Sequence, residues 1–341
     1  MHPILPKLML PRTSLYSLKQ FFSITTLLLV GGITLFAQQN KVELELIEEE
    51  ALFIGGLSTN VLTQGNVEVN FYSALFSNQV TLHESALTES PVRDRFRLTD
   101  FTTNVDVYLG VTRKGRFDLG ARFKYARRRV DNNARISPFK VFGSGDSDVA
   151  FGRDQTFSGL REVGLRFRLI PIESLPDFTI TGGYAFSPRN GEQEDVRSLG
   201  ADRDLIDLNL SYIVTLNNNA YYYFILSNTA APSSFISISQ EWLYNTNFSF
   251  IVVQLFANRK IALYPGVTYN IGYKPPFRGD KALIKTNDQV LATLGIQFQP
   301  TNDFSLNIST ALPLLLETTN KLFQPVRESF SFVSIGGRWT F

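Results

Sequence analysis

Residues 116–126 read RFDLGARFKYA, and apolar and polar side chains alternate along the stretch. Side chains of a β-strand point alternately to its two faces, so alternation of this kind predicts a strand whose faces differ in polarity. One face would carry Phe117, Leu119, Phe123 and Tyr125. The opposite face would carry Asp118, Gly120, Arg122 and Lys124. The stretch therefore predicts a β-strand with one apolar and one charged face.

The same alternation recurs from residue 65 to residue 341, and it predicts about twelve strands. They are expected near residues 65–77, 100–112, 116–129, 159–170, 178–187, 204–216, 220–229, 244–257, 261–273, 289–299, 303–313 and 328–341. The fold class that follows is all-β.

Short and long connections between these strands alternate strictly along the chain. The short ones, rich in turn-forming residues, lie at 113–115, 171–176, 217–219, 258–260 and 300–303. The long ones lie near 78–99, 130–157, 188–203, 230–243, 274–288 and 314–327. In an up-and-down antiparallel meander, successive connections lie at opposite ends. One end would therefore have short periplasmic turns and the other long external loops, as in transmembrane β-barrels.

Periodicity alone does not say whether the apolar face points inward or outward, because soluble barrels alternate in the same way. About twelve strands would enclose an interior too wide for these side chains to fill. The charged faces also resemble a wet lumen, and tyrosines such as Tyr221–Tyr223 gather at strand ends, where an interfacial girdle would lie. We therefore predict that the apolar face of residues 65–341 meets lipid.

The first 37 residues have the pattern of a cleavable signal peptide. The basic residues Lys7, Arg12 and Lys19 precede an apolar run of moderate length, and Ala37 suits the cleavage position. Residues 38–64 are predicted to form a periplasmic segment that could enter the lumen. We expect the mature protein in the outer membrane of a Gram-negative bacterium. Its near-neutral charge argues against a nucleic-acid partner.

Charged residues on the predicted inward faces are the candidate site. They are Arg122, Lys124, Arg166, Arg168, Glu162, Asp106, Asp118 and Asp207. Bases lining a pore could select solutes by charge. Alternatively, the bases could pair with acids on neighbouring strands and brace the lumen. The two roles are compatible.

Three consecutive arginines, Arg127–Arg129, continue the strand at 116–129. They cannot share one face, so at least one would point outward. If the strand has left the hydrocarbon there, that arginine would lie at headgroup level, where it could contact lipopolysaccharide phosphates or simply form a solvated rim.

Residues that catalysis or metal binding would need are sparse. The chain has no cysteine, and His83 is the single histidine beyond the predicted leader. His83 lies beside Glu84 and Ser85 in an extended segment, where neighbouring side chains point apart, so a catalytic triad is not expected. Asp146, Asp148 and Asp154 lack the other ligands of a known calcium loop. We predict no enzyme activity, no metal and no cofactor.

The final ten residues, FVSIGGRWTF at 332–341, resemble the C-terminal targeting signal of bacterial outer-membrane β-barrel proteins. Phe341, Trp339, Ile335 and Val333 would form its apolar face. The resemblance implies recognition by the barrel-assembly machinery and pairing of the last strand with the first.

Residues 156–171, TFSGLREVGLRFRLIP, and 177–188, DFTITGGYAFSP, resemble a transporter-like outer-membrane family associated with aromatic-degradation pathways. This similarity covers one hairpin and implies no particular substrate.

The function expected from these features is an outer-membrane channel or transporter for a small solute. Twelve strands lie between the filled eight-stranded barrels and the open porins, so a narrow or partly plugged, porin-like pore is expected. Its lumen would be mixed in charge and locally basic. Outer-membrane lipid and lipopolysaccharide would surround the outside of the barrel. A barrel that serves surface interaction without transport is the main alternative, and an outer-membrane hydrolase is a third.

Overall fold

The described residues of the computed structural model are 53–54, 57–58, 61–83, 93–131, 133, 135–143, 155–188, 204–231, 243–274, 284–318 and 323–341. They form a closed antiparallel barrel of twelve strands, in which each strand pairs with its neighbours in sequence and the last pairs with the first. The barrel strands are β3 (Val67–His83), β4 (Arg93–Gly110), β5 (Phe117–Asp131), β6 (Gln155–Leu169), β7 (Phe178–Phe186), β8 (Leu205–Asn217), β9 (Ala220–Ala231), β10 (Leu243–Phe256), β11 (Ile261–Lys274), β12 (Ile284–Thr301), β13 (Phe304–Thr318) and β14 (Phe323–Thr340). A hairpin of β1 (Phe53–Ile54) and β2 (Leu57–Ser58) precedes the barrel, and one 3-10 helix, η1 (Pro138–Phe142), follows β5. The predicted up-and-down barrel is confirmed.

The two ends of the barrel differ in their connections, as the sequence predicts. Tight turns join the strands at 111–116, 170–177, 218–219, 257–260 and 302–303, and we call this the short-turn end. The opposite end, where β3 joins β4 and β5 joins β6, is the loop end.

The barrel closes where the chain finishes. Phe341 donates its backbone N–H to the Val67 carbonyl at 2.8 Å and accepts from the Val67 N–H at 3.2 Å. The Trp339 and Phe341 rings stack with centroids 5.2 Å apart, and both are largely exposed on the outward surface. Arg338 faces inward and is buried. Pairing of the last strand with the first removes the open sheet edges that lipid would not tolerate. The role of this strand as an assembly signal stays a prediction.

Several strands extend further toward the loop end than the sequence indicates. β3 and β4 continue their pairing out to His83 and Arg93, and β13 and β14 run to Thr318 and from Phe323. The predicted loops at 78–99 and 314–327 are therefore wrong over most of their length. In these extensions the apolar residues occupy the other set of alternate positions, Val80 and Leu82 in β3 and Phe96 and Leu98 in β4, so they do not continue the pattern of the membrane-facing part.

The polarity of the two faces is opposite to that of a soluble barrel. Large apolar side chains are exposed on the outward face, including Leu119, Leu165, Leu294, Ile308, Leu312 and Val333. Charged and amide side chains such as Glu68, Asn70, Arg166 and Gln297 are buried on the inward face. An outward apolar band of this extent is the surface that a bilayer covers.

The described residues contain the short helix η1. No helix among them has the length and apolar character needed to cross a membrane.

The segment just before β3, residues 61–66, lies against the short-turn end. Gly65 donates its N–H to the Gly110 carbonyl at 3.1 Å, and Gly110 donates to the Asn66 carbonyl at 2.9 Å. Val61 and Leu62 are buried. A Cβ atom on Gly110 would stand 2.1 Å from the Thr63 carbonyl oxygen, so only glycine allows this approach. The signal peptide predicted at 1–37 lies outside the described residues, as does most of the segment predicted at 38–64.

Candidate solute pathway in the barrel lumen

The eight predicted site residues lie on the inward face of β4–β8, and the structure brings them together as four ion pairs. The pairs are Arg122 with Asp106, Lys124 with Glu162, Arg166 with Asp207 and Arg168 with Asp118. This is the arrangement that the bracing interpretation requires. A role of these residues in charge selectivity stays a prediction.

Arg168, near the short-turn end, is the most enclosed of the four bases. Its Nη1 lies 2.6 Å from Glu68 Oε1 and its Nη2 lies 2.6 Å from Asp118 Oδ2. The guanidinium carbon lies 4.0 Å from the centroid of the Tyr108 ring, which adds a cation–π contact. Asn70 donates to the same Glu68 oxygen at 2.7 Å. The arginine thus neutralises two acids on two different strands.

Asp118 also connects the wall of the lumen to the chain before β3. Its Oδ1 accepts a hydrogen bond from the Leu62 backbone N–H at 2.9 Å, while its Oδ2 accepts from Arg168. The carboxylate therefore holds residues 61–66 at the inward face. Sequence reasoning missed this contact because the donor is a backbone group, which leaves no trace in residue type.

Arg166 reaches its partner across an intervening strand. Gly183 on β7 pairs with Arg166 on β6 and with Asp207 on β8. A Cβ atom on Gly183 would stand 2.9 Å from Arg166 Cδ, so the missing side chain leaves the room for the arginine to pass over β7. Arg122, by contrast, binds Asp106 on the adjacent strand through two hydrogen bonds of 2.7 Å each.

Nearer the loop end, the charges form a looser group. Lys124 Nζ lies 3.0 Å from Glu162 Oε1, and Arg161 Nε lies 3.3 Å from the same oxygen. Arg161 reaches it because the pairing of β5 with β6 shifts between Lys124 and Tyr125. Further along, Arg128 pairs with Asp100, with Nη2 and Oδ2 2.9 Å apart.

Sequence reasoning left four contributors out of the candidate set: Glu68, Tyr108, Arg161 and Asp100. Glu68 and Tyr108 occupy inward positions of the same alternating pattern, so that signal was available. Arg161 depends on a bulge, which the alternation does not reveal.

The exposure of these luminal bases rises steadily from the short-turn end to the loop end. The exposed fraction of the side chain is 1% for Arg168, 3% for Arg166, 15% for Arg122, 20% for Lys124 and 29% for Arg128. The luminal bases are therefore buried toward the short-turn end and partly exposed toward the loop end.

The wall opposite the ion pairs is apolar. Seven buried residues of β9–β11 form one cluster: Tyr223, Ile225, Ile251, Val253, Leu255, Ala262 and Tyr264. Ile213, on the inward face of β8, pairs with Tyr223, which in turn pairs with Ile251, so the cluster is inward. The girdle predicted for Tyr221–Tyr223 is wrong for Tyr221 and Tyr223, which face the lumen. Tyr222 points outward and contacts Phe250.

Other positions considered for chemistry do not form a site in the described residues. His83 is the last residue of β3 rather than part of a loop. Asp146, Asp148 and Asp154 lie outside the described residues. Within the residues that the structure places, no three His, Cys, Asp or Glu side chains are grouped to hold a metal ion.

Comparison with solved structures finds a similar fold in bacterial outer-membrane proteins. One match is the COG4313 outer membrane channel from Pseudomonas putida F1. The alignment covers 85% of this chain and 100% of the channel, with a TM-score of 0.58 and 15% sequence identity. The β domain of the Bordetella autotransporter BrkA matches 80% of this chain over 99% of its own, with a TM-score of 0.50 and 10% identity.

The chain has the fold of a bacterial outer-membrane β-barrel. At these identities the likeness concerns the fold alone. No family model matches the sequence, and no curated protein matches it. The predicted similarity to the family associated with aromatic degradation stays a prediction.

Proposed function

We propose that the protein is an outer-membrane channel or transporter for a small solute, with a narrow, partly plugged passage. The observation that carries the proposal is the graded exposure of the luminal bases, from 1% at Arg168 to 29% at Arg128. This gradient supports a lumen that is wider in its outer part and constricted at the short-turn end, which would face the periplasm. The fold shared with outer-membrane channels supports the location.

Export and assembly belong to the same proposal. Residues 1–37 would direct the chain across the inner membrane and be cleaved. Three outward residues of β14, Val333, Ile335 and Trp339, would present the signal for the barrel-assembly machinery together with Phe341, which follows the strand.

The composition of the constriction supports passage of a solute rather than a purely structural barrel. Burying charges is costly unless each one is paired, and the buried bases Arg166 and Arg168 both have acidic partners. Here the charges line one wall and the apolar cluster lines the other, so the passage offers both hydrogen-bonding and apolar surfaces. We infer that residues 61–66, held by Asp118 and Gly110, narrow it further.

Substitution of Gly110 tests the proposed constriction. In Gly110→Ala the new Cβ would meet backbone atoms of Thr63 and Leu62, which cannot rotate away, so residues 61–66 must leave the wall. We expect several-fold higher single-channel conductance in planar bilayers and faster solute entry in liposome-swelling assays. The matched control is Gly337→Ala, whose Cβ meets the outward Phe71 ring at 2.5 Å and leaves the lumen unchanged.

The same experiment distinguishes a channel from a barrel that serves surface interaction without transport. Both variants must first show the heat-dependent mobility shift on SDS gels that marks a folded barrel. If folded wild-type protein and folded Gly110→Ala both pass neither ions nor sugars, the channel proposal is wrong and a surface-interaction role replaces it.

A further inference from the structure

The three consecutive arginines of β5 divide between the two faces of the barrel wall, as the sequence predicts. Arg128 points inward to Asp100, whereas Arg127 and Arg129 point outward. Just before them on the outward face lie Phe123 and Tyr125, both exposed and aromatic. The outward surface of β5 therefore changes from apolar to cationic between Tyr125 and Arg127, which is the change expected where hydrocarbon gives way to headgroups.

A short folded segment covers the outward surface immediately beyond this boundary. Helix η1 packs over β4 and β5, with Val141 fully buried and the Phe142 ring 4.8 Å from the Phe101 ring. On the same outward face of β5, Arg129 binds Asp131 at 2.7 Å, so this arginine is already neutralised. The surface is preformed rather than a loose loop.

The remaining cations of this surface have no acidic partner in the described part of the chain. Arg127 donates from Nη2 to the Gly143 carbonyl at 2.7 Å, and its Nε has no acceptor among the described residues. Lys140 is exposed on η1 beside Phe139 and Phe142, which are 68% and 49% exposed. Cations and exposed aromatic rings thus lie side by side at the level of the headgroups.

We propose that Arg127, Phe139, Lys140 and Phe142 form a binding surface for the phosphorylated glucosamine headgroup of lipopolysaccharide in the outer leaflet. Arg127 and Lys140 supply charge-assisted hydrogen bonds to a phosphate. Phe139 and Phe142 contact the upper parts of the acyl chains, because aromatic rings favour the boundary between apolar and wet surroundings. The inference rests on the outer-membrane location proposed above and is independent of channel activity.

The test is binding of purified lipid A to the full chain in detergent micelles, compared between Arg127→Gln/Lys140→Gln and wild type. We expect the double variant to bind bisphosphorylated lipid A roughly tenfold more weakly, since it loses two charged contacts to phosphate. Lipid A stripped of both phosphates should bind the two proteins equally and weakly. The matched control is Lys114→Gln/Arg116→Gln at the short-turn end, where both cations already pair with Glu173. It should bind as wild type does.

Three results with lipid A would overturn the proposal. These are wild-type affinity in the folded double variant, equal affinity of wild type for phosphorylated and dephosphorylated lipid A, and an equal loss in the control. A loss of binding to inorganic phosphate without a loss of binding to lipid A would assign the surface to free anions and equally contradict the proposal.

If the double variant lacks the heat-dependent gel shift, the single variant Lys140→Gln tests the proposal instead, because the Lys140 side chain is exposed and its substitution should not disturb folding. We expect about threefold weaker binding for that variant. Unchanged conductance in these variants would leave the channel proposal intact whatever the lipid result.

Discussion

Glu173 joins two turns at the short-turn end of the barrel. Its carboxylate lies 3.0 Å from Lys114 Nζ and 3.3 Å from Arg116 Nη1, so it connects the 111–116 turn to the 170–177 turn. The hydrogen bond from Lys114, followed by the charges of Lys114 and Arg116, lowers the pKa of Glu173. Asp177, in the same turn, behaves in the opposite way, because burial raises its pKa.

These shifts predict opposite pH dependences of stability. A carboxylate with a lowered pKa stabilises the fold above its unfolded pKa, about 4.3, and the stabilisation is lost as the pH falls through the folded value. Wild type should therefore exceed Glu173→Gln in free energy of unfolding by a constant amount from pH 7 to about pH 5, and the difference should vanish in stronger acid. Urea titrations of the folded barrel at each pH measure it. Asp177→Asn is the contrasting control, more stable than wild type at neutral pH. A Glu173→Gln deficit that grows in acid would contradict the assignment.

At the scale of single elements, the β10–β11 turn has an unusual backbone. Ala257, Asn258 and Arg259 have φ angles of 51°, 54° and 66°, three consecutive residues in the left-handed region. Asparagine tolerates this region, but alanine and arginine do so at a cost. Arg259 donates to the Asn218 carbonyl at 2.9 Å, which ties the turn to its neighbour and offsets part of that cost.

Ala257→Gly should therefore stabilise the barrel. Glycine removes the Cβ clash of the left-handed conformation, which costs about 1–2 kcal/mol. Glycine also raises the conformational entropy of the unfolded chain, and this offsets part of the gain. We expect a net gain of roughly 0.5–1 kcal/mol in the free energy of unfolding. Ala262→Gly, in the extended part of the same hairpin, should destabilise the barrel instead. Equal losses in both variants would show that the turn is unstrained.

The elements also show where sequence reasoning holds and where it fails. β10 is found at Leu243–Phe256, close to its predicted span, because its apolar outward residues alternate with polar ones over the membrane-facing part. Tyr223 was misplaced because a run of aromatic residues has no alternation to fix its register. The pairing of Arg166 with Asp207 could not be predicted, since it depends on space above Gly183 that only the folded register creates.

At the scale of the whole molecule, the strand number could be predicted because it follows from alternating connection lengths rather than from any single residue. The inward grouping of Arg122, Arg166 and their partners could also be predicted, from strand periodicity. The attachment of residues 61–66 could not, because it rests on backbone hydrogen bonds and on one glycine.

The balance of luminal charge predicts how removing two of its bases changes the ion selectivity of the channel. Arg122 and Arg166 each neutralise one acid, so Arg122→Gln/Arg166→Gln leaves Asp106 and Asp207 unpaired in the passage. We expect a several-fold rise in the permeability ratio of K⁺ to Cl⁻, read from the reversal potential in a salt gradient, because a net negative lining favours cations. Arg122→Gln/Asp106→Asn keeps the balance and should leave the ratio near that of wild type. A double-arginine variant that folds and keeps the wild-type ratio would assign the pairs to bracing alone.

If the barrel conducts as proposed, the uneven burial of its luminal charges also determines where an applied electric field acts. In a conducting barrel, resistance is concentrated where water is scarce, so an applied voltage falls mainly across the zone of Arg168, Asp118 and Leu62. The wider part, near Arg128, stays close to the potential of the outside solution. In such a barrel the charges that hold residues 61–66 in place would lie in the steepest part of the field, so a voltage-dependent change in conductance would begin in this short zone.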